Sequence, residues 1–188
     1  MRFPAFIISI LTATLLASCG GDTLPKPKGQ LSLSYPRPSY TFTASDCDYN
    51  FDLNSLGKVR YKDNCSAVID YPSLNGSVFL TYRAVNNNIN ALLNDAQKLT
   101  YEHVRKADDI IEEKYINQEQ GAYGMFYDIK GDAASQSQFY ITDSTTHFLT
   151  GSIYFNTKPN YDSIYPAAMY LKNDIRHLME SIKWKESQ

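Results

Sequence analysis

YGMFYDIKGDAASQSQFYITDSTTHFLTGSIYF, residues 123–155, decides the fold. Its side chains alternate with a period of two, which belongs to strands rather than helices. Tyr123, Met125, Tyr127 and Ile129 alternate with Gly124, Phe126 and Asp128. Phe139 and Ile141 share a face in a second segment, and Leu149, Gly151, Ile153 and Phe155 share one in a third. The links between the three, GDAASQS and TDSTT, are short. Short links between neighbouring strands favour an antiparallel arrangement.

The same period recurs upstream. Tyr49 to Leu53 alternates, and so does Ala67 to Tyr71, which Pro72 ends. Asn75-Gly76 is a strong hairpin signal, and Gly76 to Val85 follows with Val78, Leu80 and Tyr82 on one face. QLSLSYPRPSYTF offers a further short strand, with Leu31 and Leu33 on one side and Pro36 and Pro38 stopping it.

Two helices flank the central strands. Asn86, Asn87 and Asn88 offer a choice of N-cap, because an Asn side chain accepts an otherwise unpaired amide. Ile89, Leu92, Leu93, Ala96 and Leu99 then recur at helical spacing. Glu102 and Lys106 form an i, i+4 pair near the end of this helix, which the pattern places close to Ala107. The following IIEEKYINQEQG is polar and reads as a strand edge or a loop. The chain closes with a second helix, capped by Asp162 or Ser163, with Pro166 expected in its first turn. Ile164, Ala168, Leu171, Ile175, Leu178 and Ile182 form its apolar stripe. The stripe is short and has few leucines, which favours a packed surface helix over a coiled coil. The expectation is an α+β single domain, a twisted, mainly antiparallel sheet packed by two helices. This order of elements resembles PsbP-like proteins, whose last helix lies across a twisted sheet.

The beginning of the chain speaks about compartment. MRFPAFIISILTATLLAS carries one charge, Arg2, and then no charge before Cys19. The run is short for a transmembrane helix, which needs about 20 apolar residues. A positive end, an apolar centre and small residues at the break are the layout of an export signal. Leu16-Ala17-Ser18-Cys19 resembles the bacterial lipobox, in which the cysteine is acylated and becomes the new N-terminus. Buried acyl chains then anchor the protein at roughly 0.8 kcal/mol per CH₂. This divides the chain into a signal peptide at residues 1–18, a lipidated Cys19 with a tether at 19–30, and a globular domain at 31–188. Pro25 and Pro27 stiffen the tether. Removing residues 1–18 from 188 leaves 170, enough for one ordinary core.

Charge and cysteine content narrow the function. Lys and Arg number 18 against 20 Asp and Glu, without a basic block, so nucleic-acid binding has no electrostatic support. With Cys19 set aside, Cys47 and Cys65 remain. Outside the cytoplasm such a pair favours a disulfide. Two cysteines with no nearby histidine do not make a structural zinc site, and there is no CxxC pair.

Catalytic patterns are missing. The histidines are His103, His147 and His177, and none stands in an HExxH pattern. His177 and Glu180 share a helix face, but without a third ligand a solvated face is the expected reading. His147 reads as a polar residue at a strand edge. GxSxG, the P-loop and GxGxxG are absent. Asp108 and Asp109 are adjacent, and at a helix end they would point apart. No catalytic residue, metal or cofactor is therefore expected. The Asn-rich junction at Asn87 and Asn88, and the junction bearing Lys158, Tyr161 and Tyr165, are candidate partner surfaces instead. Tyrosine gives rigid contact area at low entropic cost.

LPKPKGQLSLSYPRP, AVNNNINALLNDAQKLTYEH, YGMFYDIKGDAASQSQFYITDS, and HFLTGSIYFNTKPNYDSIYPAAMYLKNDIRHLMESIKW, together with the lipobox, resemble the gliding motility lipoprotein GldD family of the Bacteroidetes. Thr41 to Asn64 resembles it least, and Gly131-Asp132 stands where Gly-Asn is expected. The resemblance implies a non-enzymatic, lipid-anchored accessory factor for gliding motility and type IX secretion. It also implies envelope proteins of that machinery as partners and no cofactor. Gly20 follows Cys19 and only Asp22 is acidic nearby, so a position facing the periplasm is expected. The alternative from a different class is a periplasmic binding module for a peptide or glycan. An enzyme built from scattered carboxylates and histidines is a third reading, without a motif behind it.

Overall fold

The computed structural model describes residues 33–102, 106–157 and 160–185. Cys19, the leader and the proposed tether lie outside these residues, as do Leu31, His103 and Lys158. In chain order the strands are β1 (Tyr40–Thr43), β2 (Tyr49–Asn54), β3 (Lys58–Tyr61), β4 (Ala67–Tyr71) and β5 (Gly76–Ala84). Helix α1 (Ile89–Tyr101) follows, then β6 (Ala107–Asn117), β7 (Ala122–Gly131), β8 (Ser137–Thr142) and β9 (His147–Phe155). Helix α2 (Tyr161–Glu180) and the short β10 (Lys183–Trp184) complete the domain.

The strands make two sheets. The larger has seven strands in the order β3-β4-β5-β9-β8-β7-β6, and the smaller has three in the order β1-β2-β10. Every pairing is antiparallel, as the short links imply. The larger sheet is open, with β3 and β6 at its edges. One of its faces is covered by α2 and the smaller sheet. There Tyr49, Phe51, Ile69, Val78, Leu80, Phe139, Ile141, Leu149 and Ile153 meet Leu171, Ile175 and Leu178 in a single core. The α2 stripe from Ile164 to Ile182 is buried throughout. Each such aliphatic side chain contributes about 1.5–3 kcal/mol of burial.

The alternation in β7 serves two layers. Phe126 enters the main core, whereas Tyr127 and Ile129 build a second cluster on the opposite face with Ala133. Asp128, on the Phe126 face, reaches Lys172 of α2 at 3.0 Å. Gly151 is required by close packing, since a Cβ there would run into the Phe139 ring on β8.

Several local expectations are corrected. Leu33 is exposed and lies in no strand; the first strand starts beyond the prolines, at Tyr40. Pro36 and Pro38 lack the amides a ladder needs. Helix α1 ends at Tyr101, and Ala107 already pairs with Gly131 in β6, so Glu102 and Lys106 are not one helical turn apart. Asp108 and Asp109 therefore sit on a strand, at a register shift between Ala107 and Asp109. The polar segment that read as strand edge or loop is an eleven-residue edge strand. At the other helix the cap is Asn160, whose side chain accepts from Ser163 N. With the start moved back, Pro166 falls in the second turn, where its ring removes the bond to the Asp162 carbonyl.

The α1 stripe is seated less deeply than its spacing implies. Ala96 and Thr100 are buried, while Leu99 is 43 % exposed. Thr100 Oγ1 lies within hydrogen-bond distance of Ala96 O and of Gln138 Oε1 on β8, at 3.1 and 2.9 Å. A buried polar contact thus helps hold a helix whose leucines are half in water.

Candidate functional site

The Cys47–Cys65 disulfide joins the two sheets. Cys47 precedes β2 and Cys65 lies in the β3–β4 turn, with Cα atoms 5.4 Å apart. Cys65 has φ 58°, a left-handed turn conformation, and its carbonyl accepts from Tyr49 Oη at 2.8 Å. Disulfide and hydrogen bond together fasten the β3–β4 turn to β2.

His147 is not a wet edge residue, because it opens a central strand and lies against Tyr82 and Trp184. It is 5 % exposed, and its Nδ1 lies 2.8 Å from Tyr82 Oη. Tyr82 Oη is also 3.0 Å from Asp48 Oδ2. Burial, followed by the Asp48 contact, pushes the Tyr82 phenol well above its ordinary range. The His147 ring stacks on Trp184 at 5.1 Å. The carboxylate–phenol–imidazole chain ties Asp48 to β5 and β9, and the stack of His147 on Trp184 sets β10 beside them.

Asp174 is the second buried polar centre. It is 2 % exposed, accepts from Asn54 Nδ2 at 2.7 Å, and is hydrogen-bonded by Tyr71 Oη. Asn54 Nδ2 also donates to Tyr170 Oη at 3.1 Å. Neutral donors, not a cation, hold this carboxylate. Burial and then Asp174 push both the Tyr40 and the Tyr71 phenols up. The expected solvated face of α2 is thus partly an interior one. His177 is half-buried, stacks on Tyr40 at 3.7 Å, and keeps Nε2 3.5 Å from Asp52 Oδ2 without hydrogen-bond geometry. The sequence did carry a signal for Asp174. It lies three residues after Leu171 and four before Leu178, inside the buried stripe.

Among the described residues, no three His, Cys, Asp or Glu side chains form a group able to hold a metal ion. The apolar void under α1 at Leu99 and Tyr127 holds only about 10 Å³. The larger hollow is open and polar, about 420 Å³, lined by Lys106, Asp108, Asp132, Asn160, Tyr161 and Asp162.

The candidate partner residues fall at two separate places. Asn87 and Asn88 are exposed beyond β5, next to the start of β9, where Val85 N donates to Thr146 O. Asn87 has φ 57°, and Asn88 Oδ1 accepts from Asn86 N at 2.8 Å, so turn chemistry accounts for this Asn run. Asn88 holds the N-cap position of α1 without a side-chain cap bond. Tyr161 and Tyr165 sit at the start of α2, edge to face at 5.4 Å, and Tyr161 N donates to Asp132 Oδ1 at 2.8 Å. The ladder running from Gly76↔Phe155 to Ala84↔His147 separates the two places by ~27 Å.

The larger sheet is open at both edges, and the buried Asp174 and His147 are bound into contacts between elements. A family model described as gliding motility lipoprotein GldD matches residues 20–184, and the chain belongs to that family. It is a non-enzymatic lipoprotein of the gliding-motility and type IX secretion context, held at the membrane and facing the periplasm. No curated protein matches the chain. Among the described residues, no helix is long and apolar enough to cross a membrane.

Proposed function

We propose that the protein is a lipid-anchored assembly factor whose folded domain docks envelope proteins of the gliding and secretion machinery. Acylated Cys19 is its anchor, and residues 19–30 are its tether. The observation that carries this reading is the family match across residues 20–184, which takes in the tether after Cys19 and all but the last of the described residues. The Tyr161–Tyr165 pair supplies the docking face, with partly exposed aromatic area beside a polar hollow. In the sequence Lys158 adds a cation three residues before Tyr161, and Asn87 with Asn88 offers a second contact at the far end of β5. The polar hollow also supports a second reading, a binding module for a peptide or glycan.

Cross-linking and pulldown from membranes tests the assembly role. Cys19→Ser is expected to move the protein into the soluble fraction. Tyr161→Ala with Tyr165→Ala is expected to keep the fold, at a cost near 1 kcal/mol for the lost aromatic pair, and to lose the co-purifying partner. A Cys19→Ser protein that stays on membranes removes the anchor. A double variant that retains its full complex removes the docking face.

A further inference from the structure

Strand β6 ends the larger sheet, and no strand of the described residues pairs with its outer side. It runs for eleven residues, ADDIIEEKYIN, most of them exposed. Two large apolar side chains are exposed on it, Ile111 at 38 % and Ile116 at 62 %. Unpaired strand edges of this length are templates for another strand unless charge blocks them. Here the charges are arranged so that one strand fits them: β6 of a second copy.

Antiparallel pairing of identical strands places a two-fold axis perpendicular to the sheet, so facing residues must come from the same face. With the axis at Glu113, Glu112 faces the second copy's Lys114, Ile110 faces its Ile116, and Ile111 faces its Tyr115. Asp109 faces Asn117. Moving the axis by one residue destroys this match. Centred on Glu112, the strands set Glu113 against Ile111 and Lys114 against Ile110. Centred on Lys114, they set Glu112 against Ile116 and Glu113 against Tyr115. Directly opposed pairs are where sheets gain or lose stability, so one register stands out.

One unpaired cation and one ion pair in the single chain fit that register. Lys114 is exposed and has no ion-pair partner among the described residues. Glu113, which would meet its own copy on the axis, is already forked by Arg176, with Nη1 to Oε2 at 2.9 Å and Nη2 to Oε1 at 2.8 Å. Arg176 holds this carboxyl below its usual range, and the guanidinium is itself seated 4.1 Å above the Phe126 ring. The axis would carry two carboxylates with two guanidinia, not two bare negative charges.

We propose that β6 is a self-association edge, on which two copies of this chain pair antiparallel about Glu113 into a continuous fourteen-stranded sheet. The test is disulfide cross-linking of the full-length protein in membranes with a mild oxidant. Glu113→Cys is expected to give a covalent dimer, far above the collisional level set by Asp95→Cys on α1. Asp109→Cys is expected to cross-link with co-expressed Asn117→Cys, and not with itself. Lys114→Glu is expected to reduce the Glu113→Cys dimer roughly fivefold, and adding Glu112→Lys to restore it. The proposal is overturned if Glu113→Cys stays at the Asp95→Cys level, if Asp109→Cys links to itself as readily as to Asn117→Cys, or if the cross-linked product contains a different protein.

Discussion

At the residue scale, Asp174 shows what a buried charge costs and how it is kept. A carboxylate at 2 % exposure survives because Tyr71 and Asn54 both donate to it. Removing one donor leaves the charge less satisfied, so Tyr71→Phe is expected to lower unfolding free energy by about 1.5–3 kcal/mol in urea titration. The pH dependence has a definite sign. Burial and then Asp174 raise the Tyr71 phenol far above its ordinary 10.0. A raised phenol means the folded state keeps a proton that the unfolded chain gives up. That stabilisation is complete below about pH 10 and is lost as pH climbs toward the folded value. The wild-type urea midpoint should therefore fall above about pH 10, and fall less steeply in Tyr71→Phe. An equal slope in the two proteins would remove Tyr71 from this role.

At the element scale, the two helices contrast. Both have an apolar stripe in sequence, but only α2 is clasped between two sheets. Leu171 is fully buried there, whereas Leu99 on α1 is 43 % exposed. Leu171→Ala is expected to cost about 2–5 kcal/mol and Leu99→Ala about 1 kcal/mol or less, by denaturant unfolding. Comparable losses would mean that α1 is packed as firmly as α2. The α2 stripe was legible because every one of its positions is buried, so spacing and environment agree. The end of α1 was not, because Ala107 follows its ladder partner Gly131 on β7 rather than its own helical propensity.

At the scale of the whole molecule, the disulfide closes a loop between residues 47 and 65 and ties the smaller sheet to the larger. Reduction is expected to remove about 3 kcal/mol in the chain-entropy model, seen as a lower urea midpoint with reductant. An unchanged midpoint would show that the core alone holds the sheets together. Local chemistry in the chain determined the strands from 123 to 155, their antiparallel order, the β4–β5 hairpin, the α2 stripe and the even cysteine pair. Each is written within one turn or one period, and nothing distant is needed to impose it. The candidate docking residues were legible only as residue types, and the fold then set Asn87 and Tyr161 at opposite ends of one ladder. Tertiary structure alone decided that β10 joins β2, that Phe126 and Tyr127 face different layers, that β6 is an open edge, and that Asp174 lies inside. Those outcomes depend on which surfaces meet between separate elements, across more than a hundred residues for β10 and Asp174, and burial energy is assigned only when they do.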